Sequence, residues 1–245
     1  KRQFGSSYYH AGKLTNLLWF EQGVTLKMAA SDKKYIFGEG TWSFLQIQRN
    51  HLNTYTAWYR GMSPGGEGKW IQQNIEYTPD GREILSGSLG KLTAYTCERN
   101  PLSPVGGNVT ILYYEEAGIT KTMDKTKEAM DAALGQGVFT KTGVFIAAGS
   151  VGELTECEPL KKMIYDPDAF GIYAIENNLV DDHGTIGRTG LFIPEQWSMP
   201  PYIDKFGNSL VKEALAALDE YYEQIKREKD PGQYQFAISQ RPRNL

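Results

Sequence analysis

Apolar residues recur along this chain with two different periods, and the exchange between them outlines the architecture. In KLTNLLWF the leucines Leu14, Leu17 and Leu18 form an apolar stripe at helical spacing. They predict a helix over residues 6–19, entered from the loop KRQFGSS. Residues 24–30 predict a strand. GTWSFLQIQRNHLNTYTAWYRG predicts a second helix whose apolar side is Phe44, Leu45, Ile47, Leu52, Tyr55 and Trp58. The Gly/Pro loop MSPGGEGK interrupts it. Short strands are then expected over residues 71–77, 83–85 and 92–96, with a PDGR turn between the first two.

The turn-rich linker NPLSPVGGN delivers the chain into VTILYYEEAGIT, where a run of apolar and β-branched residues stops at two adjacent carboxylates, Glu115 and Glu116. MDKTKEAMDAALGQG then predicts a helix closed by glycine, and TGVFIAAGS a second apolar strand that ends at Ser150. Strand, helix, strand is the pattern of a parallel α/β sheet. Such sheets bind ligands outside the carboxyl ends of their strands. An unpaired carboxylate inside a core costs several kcal/mol or protonates, so the two glutamates belong where the sheet meets solvent or a ligand. Glu115, Glu116 and Ser150 are therefore expected along one rim.

Beyond about residue 153 the pattern loosens into short elements, including a DDHGTIGR loop and PEQWSMPPYIDKFGNS. A long charged helix is expected over residues 209–229, burying Leu210, Val211, Leu215, Leu218, Tyr222 and Ile225 on one face. Asn208 or Ser209 would cap it, and Asp230-Pro231-Gly232 would end it. No internal repeat or low-complexity tract is present.

Composition narrows the function classes. The 245 residues are 40% hydrophobic and 22% charged, which suits one large globular domain or two small ones. A net charge of −3 and a pI near 5.7 provide no global attraction for nucleic acid, so any such contact is local. Cys97 and Cys157 match no metal spacing and read as free thiols of a reducing cytoplasm. No apolar run approaches the roughly 18 residues that cross a membrane, and no signal peptide is visible. The chain opens at Lys1 rather than Met and closes on RPRNL. An internal piece of a longer protein is the expectation, with expression trimming as the alternative.

Hydrolysis of a nucleoside triphosphate needs a phosphate cradle, a cation, Mg²⁺ with a hydroxyl ligand, and a carboxylate that orients water. KRQFGSS stands where such a cradle would be. With Gly5 as the second glycine of G-x-x-x-x-G-K-[ST], Ser7 takes the place of the hydroxyl on Mg²⁺. The helix that follows aims its N-terminal dipole at the phosphates. Ser6 occupies the usual lysine position, which leaves Lys1 and Arg2 as the nearby cations and makes Lys1, Arg2, Gln3, Gly5, Ser6 and Ser7 the candidate nucleotide-binding set. Glu115 would hold Mg²⁺ through water, Glu116 would polarise the attacking water, and Ser150 would sense the γ-phosphate.

KRQFGSSYYHAGKL, NVTILYYEEAGI and GVFIAAGSVGE together resemble the ATPase region of the large terminase subunit, the DNA-packaging motor of tailed bacteriophages and prophages. LKKMIYDPDAFGIYAIEN, GRTGLFIPEQW and YIDKFGNSLVKEALAAL are similar to the segment that joins the ATPase to the nuclease in such proteins, with DKFGNS the most specific piece. The likeness spans nearly the whole chain, more loosely over residues 30–100. It implies a P-loop NTPase fold, a mostly parallel sheet flanked by helices, with the strand before the loop missing. A partial ATPase domain would occupy residues 1–155 and a linker subdomain residues 156–245, with the nuclease domain beyond. Glu115 and Glu116 would be the Walker B pair and Ser150 the coupling residue. The resemblance also implies ATP and Mg²⁺ as cofactors, and double-stranded DNA, a portal protein and a small terminase subunit as partners. A homo-oligomeric ring in the cytoplasm of an infected bacterium, transiently at the procapsid portal, would be the setting.

Members of the family that this chain resembles often carry an arginine shortly before Walker B that reaches a neighbouring subunit's nucleotide. SPVGG stands in that place here, and Arg99 is the nearest candidate, the alternative being a solvated turn arginine. Asp181, Asp182 and His183 read as a charged loop rather than metal ligands, His10 and His51 as structural or surface residues, and Trp197 as loop packing. Two other functions stay open. One is another P-loop DNA translocase of helicase type, against which the FIP/DKFGNS region speaks. The other is a degenerate, non-hydrolysing structural module of a prophage protein, since Ser6 stands where the lysine should be.

Overall fold

The computed structural model describes residues 5–58, 62–64, 67–136, 140–177 and 187–243. The chain divides into two compact units at the Ala148–Gly149 bond. In the first, helix α1 (Ser6–Phe20) leads into strand β1 (Thr25–Ala30), the short helix α2 (Lys33–Ile36) and helix α3 (Thr41–Tyr55). Strands β2 (Met62–Pro64), β3 (Lys69–Gln72), β4 (Asn74–Tyr77), β5 (Glu83–Ser86), β6 (Lys91–Thr96) and β7 (Ile111–Glu115) follow. Helix α4 (Met123–Met130), the small pair β8 (Gly135–Gln136) and β9 (Thr140–Lys141), and strand β10 (Val144–Ala148) complete the unit.

Six strands form the central sheet in the order β10-β7-β1-β6-β3-β2. β10, β7, β1 and β6 run parallel, while β3 is antiparallel to β6 and β2 to β3. Because strand side chains alternate between faces, Leu26, Met28 and Ala30 of β1 share a side with Ile111 and Tyr113 of β7. They pack with Leu14, Leu18 and Trp19 of α1 and with Trp42 and Leu45 of α3 into one core. Leu112 and Tyr114 take the opposite face, where Tyr114 lies beside Cys97 and Thr126 of α4. Helices thus cover both faces, as a parallel sheet requires.

Lys27 interrupts the apolar run of β1 yet is buried. Its Nζ donates to the carbonyls of Pro104 (2.6 Å) and Gly106 (2.5 Å), which ties the linker before β7 to the sheet. Burial lowers its pKa. The lysine thereby fixes the approach of the chain to the strand that carries Glu115.

Several elements differ from the expectation. The second helix stops at Tyr55, and its buried face is Thr41, Trp42 and Leu45, with Phe44 and Leu52 partly buried against it. Ile47, Tyr55 and Trp58 are more than half exposed, because neither Ile47, two residues on from Leu45, nor the last turn faces the sheet. The run 71–77 breaks into β3 and β4, so β4 pairs with β5 as a separate hairpin. The helix after the glutamates ends at Met130, and Gly135 opens β8 rather than closing the helix.

In the second unit, helix α5 (Leu154–Tyr165) precedes the short antiparallel pair β11 (Ile175–Glu176) and β12 (Arg188–Thr189). Helices α6 (Val211–Glu228) and α7 (Pro231–Gln240) follow. α6 buries Ala214, Leu218, Tyr222 and Ile225, while Leu210 and Val211, expected inside, lie at the exposed start. Neither Asn208 nor Ser209 caps it, since the cap position is Leu210. Asn208 instead closes a turn on Asp204, whose Oδ1 accepts from the Phe206 and Asn208 amides at 2.8 Å each. Asp230 begins a helix as well as ending one: its carboxylate caps α7 by accepting from the Gln233 amide at 3.0 Å. Asp181, Asp182 and His183 lie outside the described residues, and Trp197 is half-exposed in a 3₁₀ turn, Glu195–Trp197.

Candidate functional site

α1 begins abruptly. Gly5, at its N-cap, has φ +81°, a left-handed backbone that glycine adopts without cost, and no side chain caps the helix. The first turn therefore presents amides that have no partner within the helix, and the positive end of the helix dipole, together with Ser6 and Ser7. β7 lies next to β1 in the sheet and carries Glu115 at its carboxyl end.

The two meet. Ser7 Oγ donates to Glu115 Oε1 at 2.8 Å. Glu115 is only 4% exposed, so of the two surroundings expected for it, solvent or a ligand, bulk solvent is not the one it has. Its other oxygen, Oε2, accepts from the Tyr113 hydroxyl at 2.8 Å and from the Thr41 hydroxyl. Hydrogen bonds to a charged group are each worth roughly 1.5–3 kcal/mol. Three of them, with the first turns of α1 and α3 converging on the carboxylate, account for its tolerance of burial. Tyr113 belongs to the same face by strand alternation. Its phenol is pushed well above its ordinary pKa by burial and then by the neighbouring Glu115 charge, so it stays a proton donor.

His10, one turn along α1, stacks on Tyr113 with centroids 4.6 Å apart. Its Nδ1 lies 2.8 Å from the Ser6 carbonyl, which only accepts, so that nitrogen carries the proton; Ser6 Oγ is 3.1 Å away. Burial lowers the His10 pKa against the opposing pull of the Ser6 carbonyl and Glu115. A base whose folded pKa is depressed stays neutral while the unfolded chain takes up a proton. Stability should therefore fall as pH drops below about 6.5, the ordinary histidine value. Thermal melts of wild type and His10→Gln from pH 7.5 to 5.5 check this: the acid-induced drop should be smaller in the variant.

Glu116 follows with φ +50° and ψ +47°. Left-handed backbone costs a non-glycine residue roughly 1–2 kcal/mol, and such strain gathers at functional sites. In this conformation the chain leaves the strand and turns at once into a 3₁₀ segment, Ala117–Ile119. Of the other sequence candidates, Lys1, Arg2 and Gln3 lie outside the described residues. Arg99 is exposed just past the end of β6. Ala148 pairs with Glu115 across β10 and β7, and Ser150 follows two residues later, in the second unit.

Ser7 and Glu115 provide two hard oxygen donors side by side, the type of ligand Mg²⁺ takes when phosphates supply most of the rest. Among the described residues no group of three or more His, Cys, Asp and Glu is placed to hold a metal. The donor set thus fits an ion that arrives with a phosphate ligand rather than one caged by protein. Sequence reasoning singles out Ser7 and Glu115 but not Thr41 or Tyr113, and it reads His10 as a structural or surface residue, in keeping with its stacking on Tyr113. Tyr113 had a visible signal, two residues before Glu115 on a strand. Thr41 had none, because its contact depends on the neighbouring positions of β1 and β7.

No helix among the described residues is long and apolar enough to cross a membrane. No protein-family model matches the sequence, and no curated protein matches it significantly. Solved structures do match in fold. The large terminase ATPase domain of Thermus phage P74-26 aligns with a TM-score of 0.60 at 9% identity, over 99% of this chain and 85% of that one. A mutant of the same domain gives 0.58 at 10% identity, over 100% and 86%. The HK97 bacteriophage large terminase gives 0.53 at 13% identity, over 100% of this chain and 45% of that one. A mostly parallel sheet flanked by helices is thus the fold this chain shares with phage large terminase ATPase domains.

Proposed function

We propose that this chain is the ATPase region of a DNA-packaging motor, hydrolysing ATP to move double-stranded DNA into a viral capsid. The observation that carries the reading is the Ser7–Glu115 hydrogen bond, made between the first turn of α1 and the carboxyl end of β7. A hydroxyl and a carboxylate joined in this way are two oxygen donors that one cation would share when a nucleotide docks its phosphates on the helix N-terminus. Gly5, Ser6 and Ser7, with Lys1, Arg2 and Gln3 before them, would cradle the phosphates. The ion's chemistry is to draw charge from the phosphoryl oxygens. Ser7 would hold it directly and Glu115 through water, Tyr113 and Thr41 would orient Glu115, and Glu116 would accept the proton of the attacking water. Ser150 would couple turnover to movement, and Arg99 is the candidate for reaching a neighbouring subunit's nucleotide in a ring.

DNA contacts of such a motor are phosphate-directed and salt-sensitive rather than sequence-reading. Portal protein and small terminase subunit are the partners this reading implies, in an infected cell's cytoplasm. One observation favours a second reading. Ser6, in the lysine position, is engaged with His10 and carries no charge, as a degenerate, non-hydrolysing structural module would have it. ATP turnover by the full-length protein, with DNA and procapsid present, separates the two. DNA-stimulated turnover supports the motor, and its complete absence leaves the structural module.

A further inference from the structure

We propose that Thr41 is a positioning residue that fixes one oxygen of Glu115 so that the other is presented to the cation of a bound nucleotide. The inference rests on the nucleotide reading above and adds a residue that neither the loop nor the strand motif contains.

Glu115 divides its contacts unequally. Among the described residues, Oε1 accepts from Ser7 and Oε2 from both Tyr113 and Thr41. When a cation enters beside Ser7, the serine must turn its proton away and Oε1 gives up that hydrogen bond. The Oε2 contacts need not change. A glutamate with one oxygen free and the other loosely held would rotate about its terminal bond and exchange them. Two hydroxyls on Oε2 oppose that rotation, one from the same strand and one from a separate helix.

The helix that supplies the second hydroxyl is itself fixed. Gly40 precedes Thr41, and a Cβ there would run into the backbone oxygens of Tyr35 and Ile36, so only glycine fits. Ile36, from α2, packs in the same core as Trp42 and Leu45. Thr41 is fully buried and β-branched, which restricts its rotamer. Its hydroxyl faces Glu115, and α3 has no side-chain cap of its own. A fully buried hydroxyl at the first position of one helix that donates to a carboxylate on a strand is placed for that carboxylate.

The test measures how binding of a fluorescent ADP analogue to the full-length protein depends on MgCl₂ concentration. Thr41→Val removes the hydroxyl in nearly the same shape. Thr41→Ala removes it without placing a methyl beside the carboxylate, in case the valine variant does not fold. Thr41→Ser keeps it. Residues that orient metal ligands typically change metal affinity about 10–100-fold when lost. The Mg²⁺ concentration for half-maximal binding should rise by at least about tenfold in the folded hydroxyl-less variants. Thr41→Ser should restore it, and binding in EDTA should be the same in all. An Mg²⁺ requirement unchanged in the hydroxyl-less variants overturns the role of Thr41 while leaving the nucleotide site standing. Equal losses with and without Mg²⁺ that serine does not repair make Thr41 structural only. Failure of wild type to bind nucleotide at any Mg²⁺ concentration overturns both readings.

Discussion

Glu116→Gln should abolish ATP turnover while leaving nucleotide binding near wild type. Glutamine keeps the size and polarity of the side chain but cannot take a proton from water. A positioned general base contributes about 10²–10⁴-fold to rate, and a loss in that range is the expected result. The position argues for the assignment. Glu116 stands next to Glu115, on a backbone held at φ +50°, where the strand gives way to a 3₁₀ turn. Glu115 is unsuited to the base role because three hydroxyl groups already donate to it. Steady-state hydrolysis by the full-length protein with DNA, paired with a binding titration, checks the prediction. A variant that turns over within a few-fold of wild type would move the base elsewhere. Glu115→Gln should show a different signature, a higher Mg²⁺ requirement, because it weakens a ligand rather than a base.

The second large effect is on stability. Trp19 is among the largest fully buried side chains, close to the end of α1. It packs in the core beneath that helix, and its Nε1 donates to the Trp58 carbonyl at 3.0 Å. Truncation of a buried tryptophan to alanine costs about 3–5 kcal/mol, the sum of lost burial and the cavity left behind. For a unit of this size each kcal/mol shifts the melting temperature by about 2–4 °C, so Trp19→Ala should melt about 6–20 °C lower. Trp19→Phe, which keeps most of the ring but loses the N–H, should fall between. Calorimetry reads both. A shift below about 3 °C for the alanine variant would mean that α1 is not anchored through this side chain. Since α1 also carries Ser7, the same variant should weaken nucleotide binding.

Strong local signals made parts of this molecule legible in the sequence. The run ILYYE reads as a strand because every residue is apolar or aromatic until the carboxylate, and it is β7 with each side chain buried. The β7–α4–β10 succession follows from period changes alone, and so does the parallel pairing of β7 with β10. The loop and strand-end motifs assign Ser7 and Glu115 to one phosphate-bound cation as an expectation, and the structure joins the two by a hydrogen bond. That Glu115 is buried was not legible, because its burial depends on Thr41, more than seventy residues away. No local pattern announces that contact. It arises because β1 lies beside β7 and the chain returns through α2 to start α3 beside the carboxylate.

The second helix failed for a related reason. Ile47, Tyr55 and Trp58 are apolar enough to suggest a buried stripe, but the face that packs is fixed by Trp42 and Leu45 near the start. Lys27 misleads in the other direction. A lysine in a strand suggests solvent, whereas this one reaches two carbonyls of the linker before β7. In each case the deciding partner lies in another element, so the residue type alone could not disclose it.

The measurement that tests the central claim most directly is binding of a non-hydrolysable ATP analogue to the full-length protein, with Mg²⁺ or EDTA, in wild type and Ser7→Ala. If Ser7 and Glu115 share the cation of a bound nucleotide, wild-type binding should weaken sharply in EDTA, and Ser7→Ala should weaken it in Mg²⁺ by about tenfold or more. Binding that is absent in wild type, or present but indifferent to both Mg²⁺ and Ser7, would contradict the account.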